Sequence, residues 1–412
     1  TGLNRCVDAL IIAVNQVNDG QEWFQPRWYT SIKELQLASE EVCAACRSAR
    51  TLDVNVEQGT PTRLWSGAAA RETRSAKRRS ATRVPVVRAR FVTWKLSASA
   101  LRRMGGAVSE AKRFDFDDDF NGDVRGVAWP RELKVLQFGD SFNKPITDVA
   151  WPASLEVLEF GERFNQPLHE SIAVAWPSSL QQLRFGMRFN QPIAGAMWPP
   201  WLERLTFGRD FNQSIAGAMW PPSIQQLTFG NSFNQPIAGA MWPPSLESLT
   251  FGSSFNQSIA GAMWPPSLES LKFGRAFNQS IAGAMWPPSL ESLTFGRDFN
   301  HSIAVAWPSS LKQLRFGMRF NQPIADPITG VSWPPSLLRI TFGDCFSQPV
   351  DGVAWPALLQ ELSFSRDFCL PSESFEWPAS LQRLTIACRP NEPLPSWPGV
   401  HVDGMWPVYW DG

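Results

Sequence analysis

One motif recurs about every 22 residues over most of this sequence, a period within the range of known solenoid repeats. The dipeptide Phe-Asn occurs at Phe120, Phe142, Phe164, Phe189, Phe211, Phe233, Phe255, Phe277, Phe299 and Phe320. A second dipeptide, Trp-Pro, follows the same period from Trp129 to Trp377. A nearly constant period, kept over many copies, is typical of solenoids and excludes an ordinary globular topology. We therefore expect about 13 stacked turns.

A single repeat shows how such a turn is built. The segment Ser248–Phe251 alternates polar and apolar residues, which predicts a strand with Leu249 and Phe251 pointing inward. Gly252 follows the strand, as expected where a side chain would obstruct a bend. Asn256 comes next, and we expect a buried amide there that bonds the main chains of neighbouring turns.

The second half of the repeat returns the chain to the next strand. Residues Ala260–Pro266 hold Gly, Trp and Pro, a composition that excludes a regular helix and favours an extended path. We expect Trp264 to stack on the equivalent tryptophans one turn away. One turn buries too little apolar surface to offset the entropy of ordering its own backbone, so stability must belong to the array.

The pattern Leu-x-x-Leu-x-Phe-Gly-x-x-Phe-Asn-x-Pro-Ile, present at Leu180–Ile193 and Leu311–Ile324, resembles the FNIP repeat, a short variant of the leucine-rich repeat. The resemblance covers residues 111 to about 395. It implies an α/β-type solenoid: a leucine-rich-repeat-like right-handed coil with a parallel β-sheet on the concave side, a mostly non-helical convex side and a role in protein binding. Family members sometimes carry an F-box, but residues 1–70 show no such pattern.

Charge divides the chain into three parts. Residues 71–103 carry eleven Lys and Arg against one acid, although the whole chain balances 38 basic against 38 acidic groups. We predict an N-terminal helical segment at 1–70, with a helix over Ser31–Ser48, and a basic linker at 71–103 that need not be ordered. The solenoid then spans 104–412, and its last turns form a degenerate cap.

Differences among the near-identical repeats indicate where a partner binds. They concentrate in the two residues between Gly and Phe-Asn and at outward strand positions, while inward positions hardly change. We predict a protein partner on the concave sheet, bound by two basic clusters, because arginine binds carboxylates in bidentate fashion. The first comprises Arg184, Arg188, Arg204 and Arg209, and the second Lys272, Arg275, Arg297, Arg315 and Arg319.

No motif for catalysis or for a cofactor is present. None of the three histidines lies beside a Cys or Ser in a recognisable nucleophile arrangement, and we interpret His301 as a substituted turn residue. Asp117–Asp123 matches the start of a calcium loop, but its twelfth position is Ala128. Cys43 and Cys46 lack a second pair for zinc. We predict a non-enzymatic interaction scaffold without metal or cofactor.

Two alternatives and a location remain open at this stage. The basic linker could bind nucleic acid. The solenoid is poorly suited to bind a phosphate backbone, because acids such as Glu159 and Asp298 lie among its basic residues. A substrate-recognition adaptor of a ubiquitin ligase is the other alternative. The absence of a membrane-spanning apolar run predicts a soluble protein without membrane contact. We also expect a monomer. Formal glycosylation sites in the asparagine column, at Asn212 for example, would be blocked if buried, which favours the cytoplasm or nucleus.

Overall fold

The computed structural model describes residues 112–387, apart from gaps at 117, 128, 169–174, 326–330, 366, 369–370 and 372–374. Outside this range it describes only strands. Six of them precede residue 112: β1 (Leu10–Ile12), β2 (Gln16–Asn18), β3 (Gln21–Trp23), β4 (Arg27–Tyr29), β5 (Thr51–Val56) and β6 (Val86–Phe91). The last strand, β20, covers His401–Gly404.

The chain forms two compact units. The first comprises Thr1–Gln191 and Met197–Leu202, and the second Pro192–Ala196 and Glu203–Gly412. Besides β1 to β6, the first unit contains β7 (Arg113–Phe116), β8 (Val135–Gln137), β9 (Val157–Glu159) and β10 (Gln182–Arg184). Strands β5 to β10 lie side by side in chain order and pair in parallel. Strands β1 and β4, and β2 and β3, form antiparallel pairs.

The second unit continues the same pattern of one strand per coil. Its strands are β11 (Arg204–Thr206), β12 (Gln226–Thr228), β13 (Ser248–Thr250), β14 (Ser270–Lys272), β15 (Ser292–Thr294), β16 (Gln313–Arg315), β17 (Arg339–Thr341), β18 (Glu361–Phe364), β19 (Arg383–Ile386) and β20. All pair in parallel, in chain order. The part of the chain that the structure describes contains no helix, so the predicted parallel solenoid with a non-helical return path is confirmed.

The alternation predicted within each strand is also confirmed. Leu249 lies opposite Leu227 and Leu271 in the sheet, and all three are buried. Phe251 and Phe255 are buried as well, and their stacked rings lie 4.0 Å apart between centroids. Because every coil repeats these positions, the core is a set of continuous columns of leucine and phenylalanine.

The tryptophans stack as expected. The rings of Trp242 and Trp264 lie 6.1 Å apart between centroids with an interplanar angle of 18°. Their indole Nε1 atoms are buried and meet no hydrogen-bond acceptor among the described residues. Ring packing, and not a hydrogen bond, therefore holds these two side chains in the column.

The coils of β11 to β14 each bend at three tight turns. In the coil of β13 the main-chain N–H of Phe255 donates to Gly252 O at 3.2 Å, and that of Ala262 donates to Ile259 O at 3.1 Å. The N–H of Leu268 closes the third turn by donating to Pro265 O at 3.1 Å. Between the turns the chain is extended and contains no helix, so about 22 residues complete one coil.

Two kinds of glycine serve these turns. A Cβ atom on Gly252 would lie 1.8 Å from Gly230 O, so this position requires a glycine because neighbouring coils approach closely. Gly261 has a φ of 75° and open space around it. It is the third residue of the Ile259–Ala262 turn, where a positive φ is needed.

The asparagine column bonds neighbouring coils as predicted, but it is less buried than predicted. Asn256 Oδ1 accepts the main-chain N–H of Asn278 at 2.9 Å and the side-chain amide of Gln279 at 3.0 Å. Asn256 is half-buried, and Asn278 and Asn300 are exposed. Burial of this column therefore cannot block glycosylation, and the argument for a cytoplasmic or nuclear location loses that premise.

The domain boundaries at residues 70 and 103 stay predictions. The helix predicted over Ser31–Ser48 lies outside the described residues, as do Cys43 and Cys46. The described pieces of residues 1–103 are strands, and β6, within the predicted basic linker, pairs in parallel with β7. Among the residues that the structure describes, no helix is long and apolar enough to cross a membrane.

Candidate functional site

The predicted second cluster lies at the end of the strands in three consecutive coils of the second unit. Lys272 ends β14, and Arg315 ends β16. Thr294 lies between them, paired with both in the parallel register. The turn that follows each strand brings the remaining members, Arg275, Arg297 and Arg319, to the same end. We call the set Lys272, Arg275, Arg297, Arg315 and Arg319 the basic edge.

Main-chain hydrogen bonds fix the turns that carry this edge. The N–H of Asp298 donates to Arg275 O at 2.9 Å, and the N–H of Arg319 donates to Arg297 O at 2.8 Å. Each bond joins one coil to the next, so the turn arginines follow one another at the spacing of the coils. The main chain is rigidly held, while the long side chains retain rotamer freedom.

Most side chains of the basic edge reach water. Lys272, Arg275, Arg315 and Arg319 are exposed, and Arg297 is half-buried with its Nε atom covered and without a hydrogen-bond partner in the described residues. An ion pair at an exposed position contributes little in water, so a partner's carboxylate gains most where binding also excludes water.

One carboxylate lies within the basic edge. Arg319 Nε is 3.3 Å from Asp298 Oδ1 in a partly exposed ion pair. Five cations and this one acid lie at this end of the strands in the three coils, so the edge has a net positive charge. The next coils carry Asp344 and Asp367, whose charges act on Cys345 together with those of Arg297 and Arg319. The positive region therefore ends at the coil of β17.

The pKa of the Cys345 thiol reflects this boundary. Burial raises its pKa, and the charges of Asp367 and Asp344 raise it further, while Arg319 and Arg297 act in the opposite direction. Because a thiolate is the reactive form, Cys345 is a poor nucleophile near neutral pH.

The predicted first cluster is divided between the two units. Arg184 and Arg188 belong to the first unit, and Arg204 and Arg209 to the second. Arg184 lies opposite Glu159 in the sheet, and the main-chain N–H of Arg188 donates to Glu162 O at 2.8 Å. Carboxylates therefore accompany the arginines of the first unit. All four arginines are exposed.

Other side chains singled out in the sequence have structural partners. His301 Nε2 lies 3.0 Å from Asn278 O, where other coils place a glutamine amide, so it is a substituted turn residue as predicted. Asp123 forms an ion pair with Arg125 at 2.6 Å, which lowers the pKa of the Asp123 carboxyl. Phe114, Phe116 and Phe120 are buried in the first repeat. Residues 118–123 thus belong to a coil turn.

A row of acids at the opposite end of the strands was not anticipated. Glu247, Glu269 and Glu291 occupy the same position in three consecutive coils, joined by main-chain hydrogen bonds of 2.9 and 2.8 Å. Lys312 follows in the next coil, and its Nζ lies 2.6 Å from Glu291 Oε1. The sequence could have revealed this acidic row, because Ser-Leu-Glu-Ser-Leu recurs once per period and residues one period apart lie side by side in neighbouring coils. The outer surface is acidic at one strand end and basic at the other.

The chain matches one protein-family model and is similar to solved structures. The FNIP Repeat model matches eight overlapping segments between residues 128 and 306. A solved structure described as CroV588, a novel circular LRR protein, is similar with 41% sequence identity and a TM-score of 0.62. The alignment covers 68% of this chain and 40% of that one, so this chain spans less than half of its relative's length.

Two further comparisons add little. The pneumococcal vaccine antigen PcpA aligns at 16% identity over 74% of this chain and 75% of its own, with a TM-score of only 0.17. No curated protein matches the sequence. The repeated Leu, Phe, Asn and Gly columns, the parallel one-strand coils and the matched family model agree: residues 128–306 of this chain are a run of FNIP repeats.

Proposed function

We propose that this protein is a non-enzymatic interaction scaffold whose basic edge binds an acidic segment of a protein partner. The observation that carries the proposal is the concentration of five cations and one acid at one strand end of three consecutive coils, whose main chains are hydrogen-bonded to one another. A repeat scaffold of this kind supplies an extended surface at low conformational cost, because its backbone is ordered before binding.

Electrostatics favour a protein over a nucleic acid at this edge. Acids lie within and beside it, namely Asp298, Asp344 and Asp367. The phosphodiester backbone of a nucleic acid would place phosphates beside these carboxylates because its charges are regularly spaced, whereas a peptide can place its own carboxylates opposite the cations only. We therefore expect a partner segment with several Asp or Glu residues, in contact with Lys272, Arg275 and Arg315.

Affinity purification with two matched charge-reversal variants tests the proposal. One variant carries Lys272→Glu and Arg275→Glu, and the control carries Arg131→Glu and Arg163→Glu, which are exposed in the first unit. Each variant reverses the charge at two exposed positions, so both change the net charge of the protein by the same amount. Proteins that bind the wild type and the control, but not the basic-edge variant, should contain acidic segments. Quantitative mass spectrometry at two salt concentrations measures the loss.

Two results would contradict the proposal. Equal recovery by all three proteins would remove the basic edge as the binding surface. Selective loss of nucleic acid, with a steep salt dependence and no protein partner, would favour the alternative of phosphate binding. The same comparison with Arg184→Glu and Arg188→Glu tests the first cluster separately.

A further inference from the structure

Four methionines form an exposed row on the return path of the second unit. Met219, Met241, Met263 and Met285 are 63%, 74%, 71% and 71% exposed. Each directly precedes a tryptophan of the stacked column and recurs once per coil. Large apolar side chains are normally among the least exposed, so this methionine row needs an explanation.

The surroundings of the methionine row contain no charge. Residues 211–224, 233–246, 255–268 and 277–290, which hold the four methionines, include no Asp, Glu, Lys, Arg, His or Cys. Coils beyond the near-identical group have alanine in the same position, as at Ala150, Ala306 and Ala354. The thioether sulfur is therefore the only side-chain metal ligand, apart from neutral amides and hydroxyls, that this path offers.

The coil spacing places neighbouring thioethers within reach of one another. Trp242 and Trp264, which follow Met241 and Met263, have ring centroids 6.1 Å apart, and the phenylalanine column repeats at 6.0 Å. A metal–sulfur bond is about 2.3 Å long, so two sulfurs that share one ion lie within roughly 4.6 Å. An exposed methionine has three rotatable side-chain bonds and can close that difference.

We propose that the methionine row binds soft monovalent cations, Cu(I) in particular, between thioethers of neighbouring coils. Thioethers select Cu(I). Mg²⁺, Ca²⁺ and Mn²⁺ prefer oxygen ligands such as carboxylates, and the segments that hold the methionine row contain no carboxylate. A thioether carries no exchangeable proton, so binding does not change between pH 5 and pH 8. This proposal is independent of the partner proposed for the basic edge.

Two variants with equal numbers of row methionines provide the test. In both, Met197→Leu removes the methionine at the same motif position in the first unit. The adjacent-pair variant adds Met219→Leu and Met285→Leu and keeps Met241 and Met263. The spaced-pair variant adds Met241→Leu and Met285→Leu and keeps Met219 and Met263, which are two coils apart. Leucine preserves the apolar character and size of each site.

Isothermal titration calorimetry measures the binding of Ag(I), a redox-inert probe for Cu(I), to full-length protein in which the six cysteines are replaced by serine. The adjacent pair should retain binding of one ion, and the spaced pair should bind at least tenfold more weakly. Cu(I) competition against a chromogenic chelator should give the same order at pH 5.5 and pH 7.5. Equal affinities of the two variants, or wild-type affinity no higher than that of free methionine, would overturn the proposal.

Discussion

At the scale of the residue, two requirements for glycine recur in the coils of β12 to β14 and have different causes. Gly274 has no room for a side chain, since a Cβ atom there would lie 1.7 Å from Gly252 O. Gly261 has room, but its φ of 75° disfavours any L-residue. The sequence shows a glycine at both positions, and only the coordinates separate close approach from backbone conformation.

Alanine substitution should distinguish these two causes. We expect Gly274→Ala to destabilise the fold by more than about 3 kcal/mol, because the coils must separate to admit a methyl group against main chain. Gly261→Ala should cost only about 1 kcal/mol, the conformational penalty alone. Chemical denaturation of the two variants measures both values. Equal costs would show that the close approach of coils is not a constraint.

The asparagine column shows what sequence reasoning could and could not obtain at this scale. An asparagine that recurs beside the tight turn in most repeats indicated a hydrogen bond to the neighbouring coil, and this is confirmed. Burial was predicted wrongly, because an amide can satisfy the main chain of the next coil while its other face meets water. The period of the repeat shows which positions are equivalent, but it does not show how much of each side chain is exposed to water.

Substitution of one asparagine tests the hydrogen-bond assignment. Asn256→Ala should cost about 1 to 2 kcal/mol, because the N–H of Asn278 and the amide of Gln279 both lose their acceptor. Asn256→Asp retains an acceptor oxygen of the same shape and should cost less. Thermal unfolding of both variants gives the comparison. A larger loss for aspartate than for alanine would contradict the assignment.

At the scale of the element, the strands put like residues side by side. This in-register stacking builds the leucine and phenylalanine columns, and it also stacks Glu247, Glu269 and Glu291. Like charges in directly opposed positions destabilise a sheet. Alternation along one strand was readable from the sequence, whereas the charge distribution across strands depends on register and was not anticipated.

Reversing the middle charge of this acidic row should stabilise the protein. In the variant Glu269→Lys a cation stands between two carboxylates, and we expect a gain of about 0.2 to 1 kcal/mol at low ionic strength. The gain should shrink in 0.5 M salt, because exposed charges are screened. Melting temperatures at the two salt concentrations measure it. A stabilisation unchanged by salt would indicate a cause other than charge.

At the scale of the whole molecule, stability follows from the repetition of equivalent coils. In each unit a coil contacts its neighbours through the strand ladder, the ring columns and the asparagine bonds. The partner surface and the methionine row belong to this level, because neither exists in one coil alone. The family, the period and the inward columns were predictable from sequence, while exposed rows required the coordinates.

The most direct test of this account is the deletion of one coil. Removing residues 251–272 takes out one full period and leaves every column in phase, whereas removing residues 251–261 leaves the columns out of phase. Circular dichroism and tryptophan fluorescence during thermal unfolding compare the two proteins with the wild type. We predict cooperative unfolding and a native-like spectrum for the full-period deletion only; equal disruption by both deletions, or tolerance of both, would contradict a stack of equivalent coils.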